Sequence, residues 1–236
     1  MRIGILEAGA LPDDLAPRWG RYGDLFRALL AGRGFDFAVW RAYANELPEG
    51  IEAADAWIVT GSRHAVYEDH PWLPRMEALV RAAHDARRPM AGLCFGHQLM
   101  AKALGGRVEK SPKGWGIGVH EWPAKGTEAE AEAPGGASLR LVAAHQDQVV
   151  EVPSGARVTA GSAFCPVAAL EWPGVPLLAW QGHPEFDADF ARALIATRRG
   201  AVYPEALADE ALETLSTPLD RERVADRIAA LFRDGA

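Results

Sequence analysis

Gly92-Leu93-Cys94-Phe95-Gly96 sets a cysteine between two glycines, after an apolar run and before the helical pattern Gln98 to Leu104. A nucleophile spaced this way from flanking glycines marks a sharp strand-to-helix elbow. The glycines permit the turn, the helix N-terminus favours a thiolate, and its backbone N–H groups are placed to stabilise an oxyanion. A thiol nucleophile needs a base, and the base needs an acceptor to orient it. Gln181-Gly182-His183-Pro184-Glu185-Phe186 offers both, directly after the apolar run Pro176 to Trp180. Side chains at i and i+2 of an extended segment point the same way, so Glu185 is in position to engage the His183 ring. The chemistry expected is that of a cysteine hydrolase.

Hydrophobic periodicity gives the elements that must position these residues. Arg2 to Leu6, Phe35 to Trp40, Ala56 to Thr60 and the run into Cys94 read as strands. Between them, Leu25, Phe26, Leu29 and Leu30 repeat at helical spacing before Gly32 and Gly34, and Leu73, Met76, Leu79, Val80 and Ala83 do so before Pro89. Strands alternating with helices predict an α/β fold of three layers, a mostly parallel central sheet with helices on both faces, and sites at the strands' C-terminal ends. Further strands are expected at Gly116 to Trp122, from Leu139, from Val167 and from Pro176. Lys125 to Ala137 reads as an exposed loop. The tail from Pro204 reads as helical, with Val224, Ile228, Leu231 and Phe232 in one stripe. The expected organisation is one domain over residues 1–236, with a helical C-terminal tail at about 201–236.

The formal charge of −7 and the lack of a Lys/Arg block argue against a nucleic-acid partner. The opening MRIGILEAG is too short an apolar run for a secretion signal, and no stretch matches a membrane span, so a cytoplasmic location is expected. Two cysteines, Cys94 and Cys165, make no disulfide framework. Cys165 is expected in the core and His97 in a packing or supporting role. His64, His70, His84 and His120 show no second ligand at metal spacing, so they are expected as exposed or hydrogen-bonded histidines, with neither metal nor cofactor. Lys113 to Gly118 is glycine-rich but lacks the spacing of a dinucleotide fingerprint, and reads as a strand edge near the site.

GLCFGHQ at 92–98, GHPE at 182–185, GSRHAVY at 61–67 and HQDQV at 145–149 together resemble the class I, or triad, glutamine amidotransferases. The likeness spans about residues 1–200 and is nearest to the glutaminase portion of GMP synthases. It implies a flavodoxin-like fold and release of ammonia from glutamine through a γ-glutamyl thioester. Carried over by motif, Cys94 is the nucleophile, His183 the base and acid, and Glu185 its orienting partner. Gly61, Ser62 and the Phe95 N–H form the oxyanion hole. Gln98, His145, Gln146 and Asp147 line the glutamine pocket, with Asp147 facing the α-ammonium.

One departure concerns the oxyanion loop, where the family's common Gly-Gly-Pro is Gly61-Ser62-Arg63. Another is that no P-loop or comparable phosphate cradle accompanies the glutaminase motifs. Three functions therefore stand: a glutaminase passing ammonia to a separate synthase subunit, a stand-alone hydrolase of γ-glutamyl peptides or amines, and a catalytically silent module that keeps the fold.

Overall fold

A computed structural model describes residues 1–125 and 138–235. Its centre is a seven-stranded sheet in the order β2-β1-β3-β4-β11-β10-β9. The strands are β1 (Arg2–Leu6), β2 (Asp36–Trp40), β3 (Ala56–Val59), β4 (Met90–Leu93), β9 (Arg157–Ala160), β10 (Ala169–Trp172) and β11 (Val175–Trp180). The pairs from β2 through β11 are parallel, and β10 runs antiparallel to both its neighbours. The alternating pattern of the sequence thus yields the expected mixed but mostly parallel sheet.

Side-chain alternation assigns the two faces. Ile3, Ile5, Ala56, Ile58, Ala91 and Leu93 point to one side and pack with Phe26 and Leu29 of α2 (Tyr22–Leu29) and with Val224, Ile228 and Phe232 of α7 (Arg221–Asp234). Leu6, Trp57, Val59 and Met90 point to the other, against Leu73, Met76 and Val80 of α3 (Leu73–Asp85) and Leu99 and Met100 of α4 (Phe95–Ala103). Three buried side chains on α7, at about 1.5–3 kcal/mol each, pack this helix into the main core. The short helix α1 (Ala16–Trp19) lies in the β1–α2 connection. The stops also have physical causes. Gly32 and Gly34, past the end of α2, have φ of +76° and +78°, which only glycine adopts without strain.

Beyond α4 the chain builds two small ribbons. β5 (Arg107–Lys110) pairs with β8 (Asp147–Glu151), and β6 (Gly116–Pro123) with β7 (Ser138–His145), both antiparallel. Helices α5 (Ala188–Arg198) and α6 (Glu205–Thr214) close a third apolar cluster against β6 and β7, through Phe190, Leu194, Ala208, Ala211, Ile117 and Val142. The strand expected from Val167 starts at Ala169, and Cys165 lies before it in a loop. The loop expected at Lys125 to Ala137 falls, past Lys125 itself, outside the described residues. No helix among the described residues is long and apolar enough to cross a membrane.

Candidate active site

Four parallel strands deliver their C-terminal ends to one edge: β1 leads to Glu7, β3 to Gly61, β4 to Cys94 and β11 to Gln181. Cys94 joins β4 to α4 with φ +51° and ψ −101°, a backbone state that L-residues seldom adopt. The elbow glycines are required by contact. A Cβ on Gly96 would lie 2.3 Å from the Val59 carbonyl oxygen, and one on Gly92 would lie 2.6 Å from that of Gly96. The turn is therefore tighter than any side chain at those two positions allows. Phe95 begins α4, so its N–H has no acceptor within the helix and remains available as a donor.

The base arrives from β11. His183 Nδ1 lies 2.7 Å from Glu185 Oε1, with both side chains almost wholly buried. The His183 ring stacks on Phe186 at 4.0 Å and 4°, which fixes its plane. Its backbone N–H donates to Val142 O at 2.9 Å, so β7 pins the loop. From the far side, Arg221 Nε of α7 donates to Pro184 O at 2.8 Å. Gly182 allows this packing, since a Cβ there would strike Trp122 and Leu141.

Burial opposes a positive charge on His183. The Glu185 carboxylate and the Cys94 sulfur, each acting through charge and hydrogen bonding, outweigh it and push His183 up to about 10. An imidazole held protonated between a thiol and a carboxylate is placed to donate a proton to a leaving group.

The expected oxyanion loop lies beside this pair. A Cβ on Gly61 would stand 2.8 Å from His183 Cε1, so only glycine lets the backbone come so near. Ser62 needs no glycine-like backbone: among the described residues the positive-φ non-glycines are Asn45, Arg87 and Cys94. Its Oγ donates to Ala8 O at 2.8 Å and accepts from the His64 N–H at 3.1 Å, bracing the loop against the segment after β1.

The expected glutamine-binding residues also converge. Gln98 Nε2 donates to Asp147 O at 2.8 Å and to Gln181 Oε1 at 3.1 Å. His145 Nδ1 lies 3.1 Å from that same Asp147 carbonyl, and burial pushes His145 down to about 3, leaving it neutral. The Asp147 carboxylate accepts from Tyr67 Oη at 3.0 Å on the partly open side. Gln146 sits at the turn between β7 and β8, where its carbonyl accepts from the Ser111 N–H.

Gln181 was not singled out by sequence. It is wholly buried, and its Nε2 donates to Cys94 Sγ at 3.6 Å while its Oε1 accepts from Gln98. The available signal was its place at the end of a strand, directly before the Gly-His-Pro-Glu run. His97 is buried as expected, with Nε2 3.2 Å from Val167 O. His64 and His70 are hydrogen-bonded, both to the same Glu68 carboxylate, a convergence that their spacing in the sequence does not show.

A family model described as glutamine amidotransferase class-I matches residues 24–196, well over half of the chain. Gamma-glutamyl peptidase 4 of Arabidopsis thaliana is 31% identical, over 72% of this chain and 70% of its own length. The glutamine-hydrolyzing GMP synthase of Azoarcus sp. (strain BH72) is 32% identical over 78% of this chain but only 34% of itself. Among solved structures, a glutamine amido transferase from Methylobacillus flagellatus superposes with a TM-score of 0.78 at 26% identity, covering 100% of this chain and 94% of its own. With the fold, the motifs and the matched span in agreement, the chain belongs to the class I glutamine amidotransferase family of enzymes.

Proposed function

We propose that this protein is a cysteine hydrolase of γ-glutamyl amides, acting through a thioester on Cys94, and that γ-glutamyl peptides are its principal substrates. The observation that carries the reading is the His183–Glu185 pair, 2.7 Å apart and sealed from water beside a strained cysteine elbow. In the first step the Cys94 sulfur attacks the γ-carbonyl, and the developing oxyanion takes hydrogen bonds from the Phe95 N–H and the Gly61–Ser62 backbone. His183 gives its proton to the departing amine as the thioester forms. Water then attacks the thioester, His183 accepts its proton, and glutamate leaves with the thiol restored.

The glutamyl end rests on the Gln98, His145, Gln146 and Asp147 side, where the Asp147 carboxylate balances the α-ammonium. The substrate class is supported by the peptidase relative, which matches over most of its own length, whereas the GMP synthase likeness stops at a third of that protein. A second reading, release of ammonia from glutamine for a separate synthase subunit, draws on that GMP synthase likeness and uses the same steps with ammonia as leaving group. A reduced thiol is needed in either case, which fits a cytoplasmic setting.

Glutamate release from the purified chain tests both. Turnover of γ-glutamyl peptides and amines at least tenfold above glutamine supports the first reading. Preference for glutamine supports the second, and no release from any γ-glutamyl amide by folded protein overturns the proposal.

A further inference from the structure

The loop between Gly61 and α3 folds three potential ligands onto one point. His64 Nδ1 lies 3.0 Å and His70 Nε2 2.7 Å from the same oxygen, Glu68 Oε2. The three donor atoms all lie within 4.8 Å of one another. The rings are held rather than loose: His70 stacks on the buried Trp72 at 5.2 Å and 12°, and the His64 ring meets the His70 ring edge-on at 4.3 Å. The His64 backbone is fixed by Ser62 Oγ. The cluster is partly open to solvent, with 24%, 42% and 27% of the His64, Glu68 and His70 side chains exposed.

We propose that His64, Glu68 and His70 bind a divalent transition-metal ion, zinc by its donor set, through two imidazole nitrogens and one carboxylate oxygen. Zinc takes nitrogen at about 2.0–2.1 Å and carboxylate oxygen at about 2.0–2.2 Å, so tetrahedral donors stand roughly 3.4 Å apart. The two nitrogen–oxygen spacings, 3.0 and 2.7 Å, need only a small expansion to admit the ion. Two imidazoles with one carboxylate suit zinc and its neighbours better than calcium or magnesium, which prefer oxygen ligands. On binding, each ligating nitrogen turns a lone pair to the metal, and the proton it shared with Glu68 moves to the other nitrogen of its ring. Water completes the coordination on the exposed side.

Placement gives the site its meaning. At one end of the loop stand Gly61 and Ser62, in its middle Tyr67 donates to Asp147, and at its far end Trp72 packs on Phe95 at 5.8 Å. An ion bridging positions 64, 68 and 70 would cross-link the strip that walls the candidate active site without touching Cys94.

The test uses untagged, full-length Cys94→Ala protein, which removes the thiol as a rival ligand. Cobalt(II) titration, followed by visible absorption and displaced by zinc, is expected to saturate at one ion per chain. His64→Ala, His70→Ala and Glu68→Gln should each weaken cobalt binding at least tenfold, with metal-free melting temperatures showing that the variants fold. Independently of any variant, zinc should slow amide exchange within residues 61–72 more than elsewhere. No saturable binding, binding unchanged in the His64→Ala/His70→Ala double variant, or slowed exchange confined to other segments would each overturn the site.

Discussion

The two cysteines are about equally hidden from solvent, Cys94 at 4% and Cys165 at 0% exposure, yet their surroundings differ in every respect that governs reactivity. Cys94 occupies a strained elbow at the start of a helix, with the His183 imidazolium and the Gln181 amide beside its sulfur. Cys165 lies in a loop, where its Sγ donates to Val167 O at 3.6 Å and burial pushes its thiol up to about 12. Burial alone therefore does not decide whether a thiol reacts. In the proposed mechanism a positive partner and free backbone donors decide it. The two regions meet at one atom, because the Val167 carbonyl also faces His97 Nε2 on the elbow's own helix.

The sharpest way to break this contrast is to remove each sulfur in turn. Cys94→Ala is expected to lower kcat/KM for γ-glutamyl amides by about 10⁴-fold or more, the scale seen when a nucleophile is deleted. A glutamine-like diazoketone should label Cys94 and spare Cys165. Residual activity in Cys94→Ala, or label mapped to Cys165, would reverse the assignment.

The next largest effect belongs to the partner that distinguishes the two environments. His183→Ala should reduce kcat by about 10³-fold or more, while Glu185→Gln, which keeps a hydrogen-bond acceptor but loses the charge, should cost less. Equal losses in the two variants would mean that Glu185 does more than orient the ring.

A smaller effect probes the shared carbonyl. Burial pushes His97 from the ordinary 6.5 down to about 4, so between these values the unfolded chain takes a proton that the folded chain refuses. Stability is fully present above pH 6.5 and falls as pH drops towards 4, by on the order of 3 kcal/mol from this residue. Urea unfolding at pH 7, 5.5 and 4.5 measures the slope, and His97→Gln should flatten it. An identical slope in the variant would remove His97 from the account.

The smallest effect should come from Cys165→Ala. It loses one buried sulfur and a weak hydrogen bond, so stability should drop by about 1 kcal/mol and kcat/KM should stay within twofold. A large loss of activity would show that the Cys165 loop acts on the elbow through Val167.

The parts of this site that were legible in the sequence are those carried by local geometry. The elbow announces itself because its two glycines flank the nucleophile within five residues, although the carbonyl that forces Gly96 belongs to Val59 on another strand, and His183–Glu185 because i, i+2 spacing on extended chain is a local relation. The central sheet follows from period-2 and period-3.6 patterns that act over one element at a time. Gln181 escaped because its partners, Cys94 and Gln98, are supplied by other strands and helices. That the His64 and His70 rings meet on Glu68 escaped because the three lie on irregular chain, where spacing does not reveal which way side chains turn. Strands β5 and β8 pair across some forty residues, and neither shows a strong pattern by itself.

The hydrogen bond from His183 to Val142 has a consequence for how the protein comes into being. Ribosomal synthesis produces the elbow well before β7, and β7 well before the loop that bears His183. Until the β6–β7 ribbon has formed and the late segment has added itself to the sheet, the thiol has no proton acceptor beside it. Long-range contacts of this kind form slowly, since loop closure precedes their reward. Under the proposed mechanism a nascent or partly refolded chain is chemically quiet, and recovered turnover in a refolding experiment marks the last docking event rather than the first collapse.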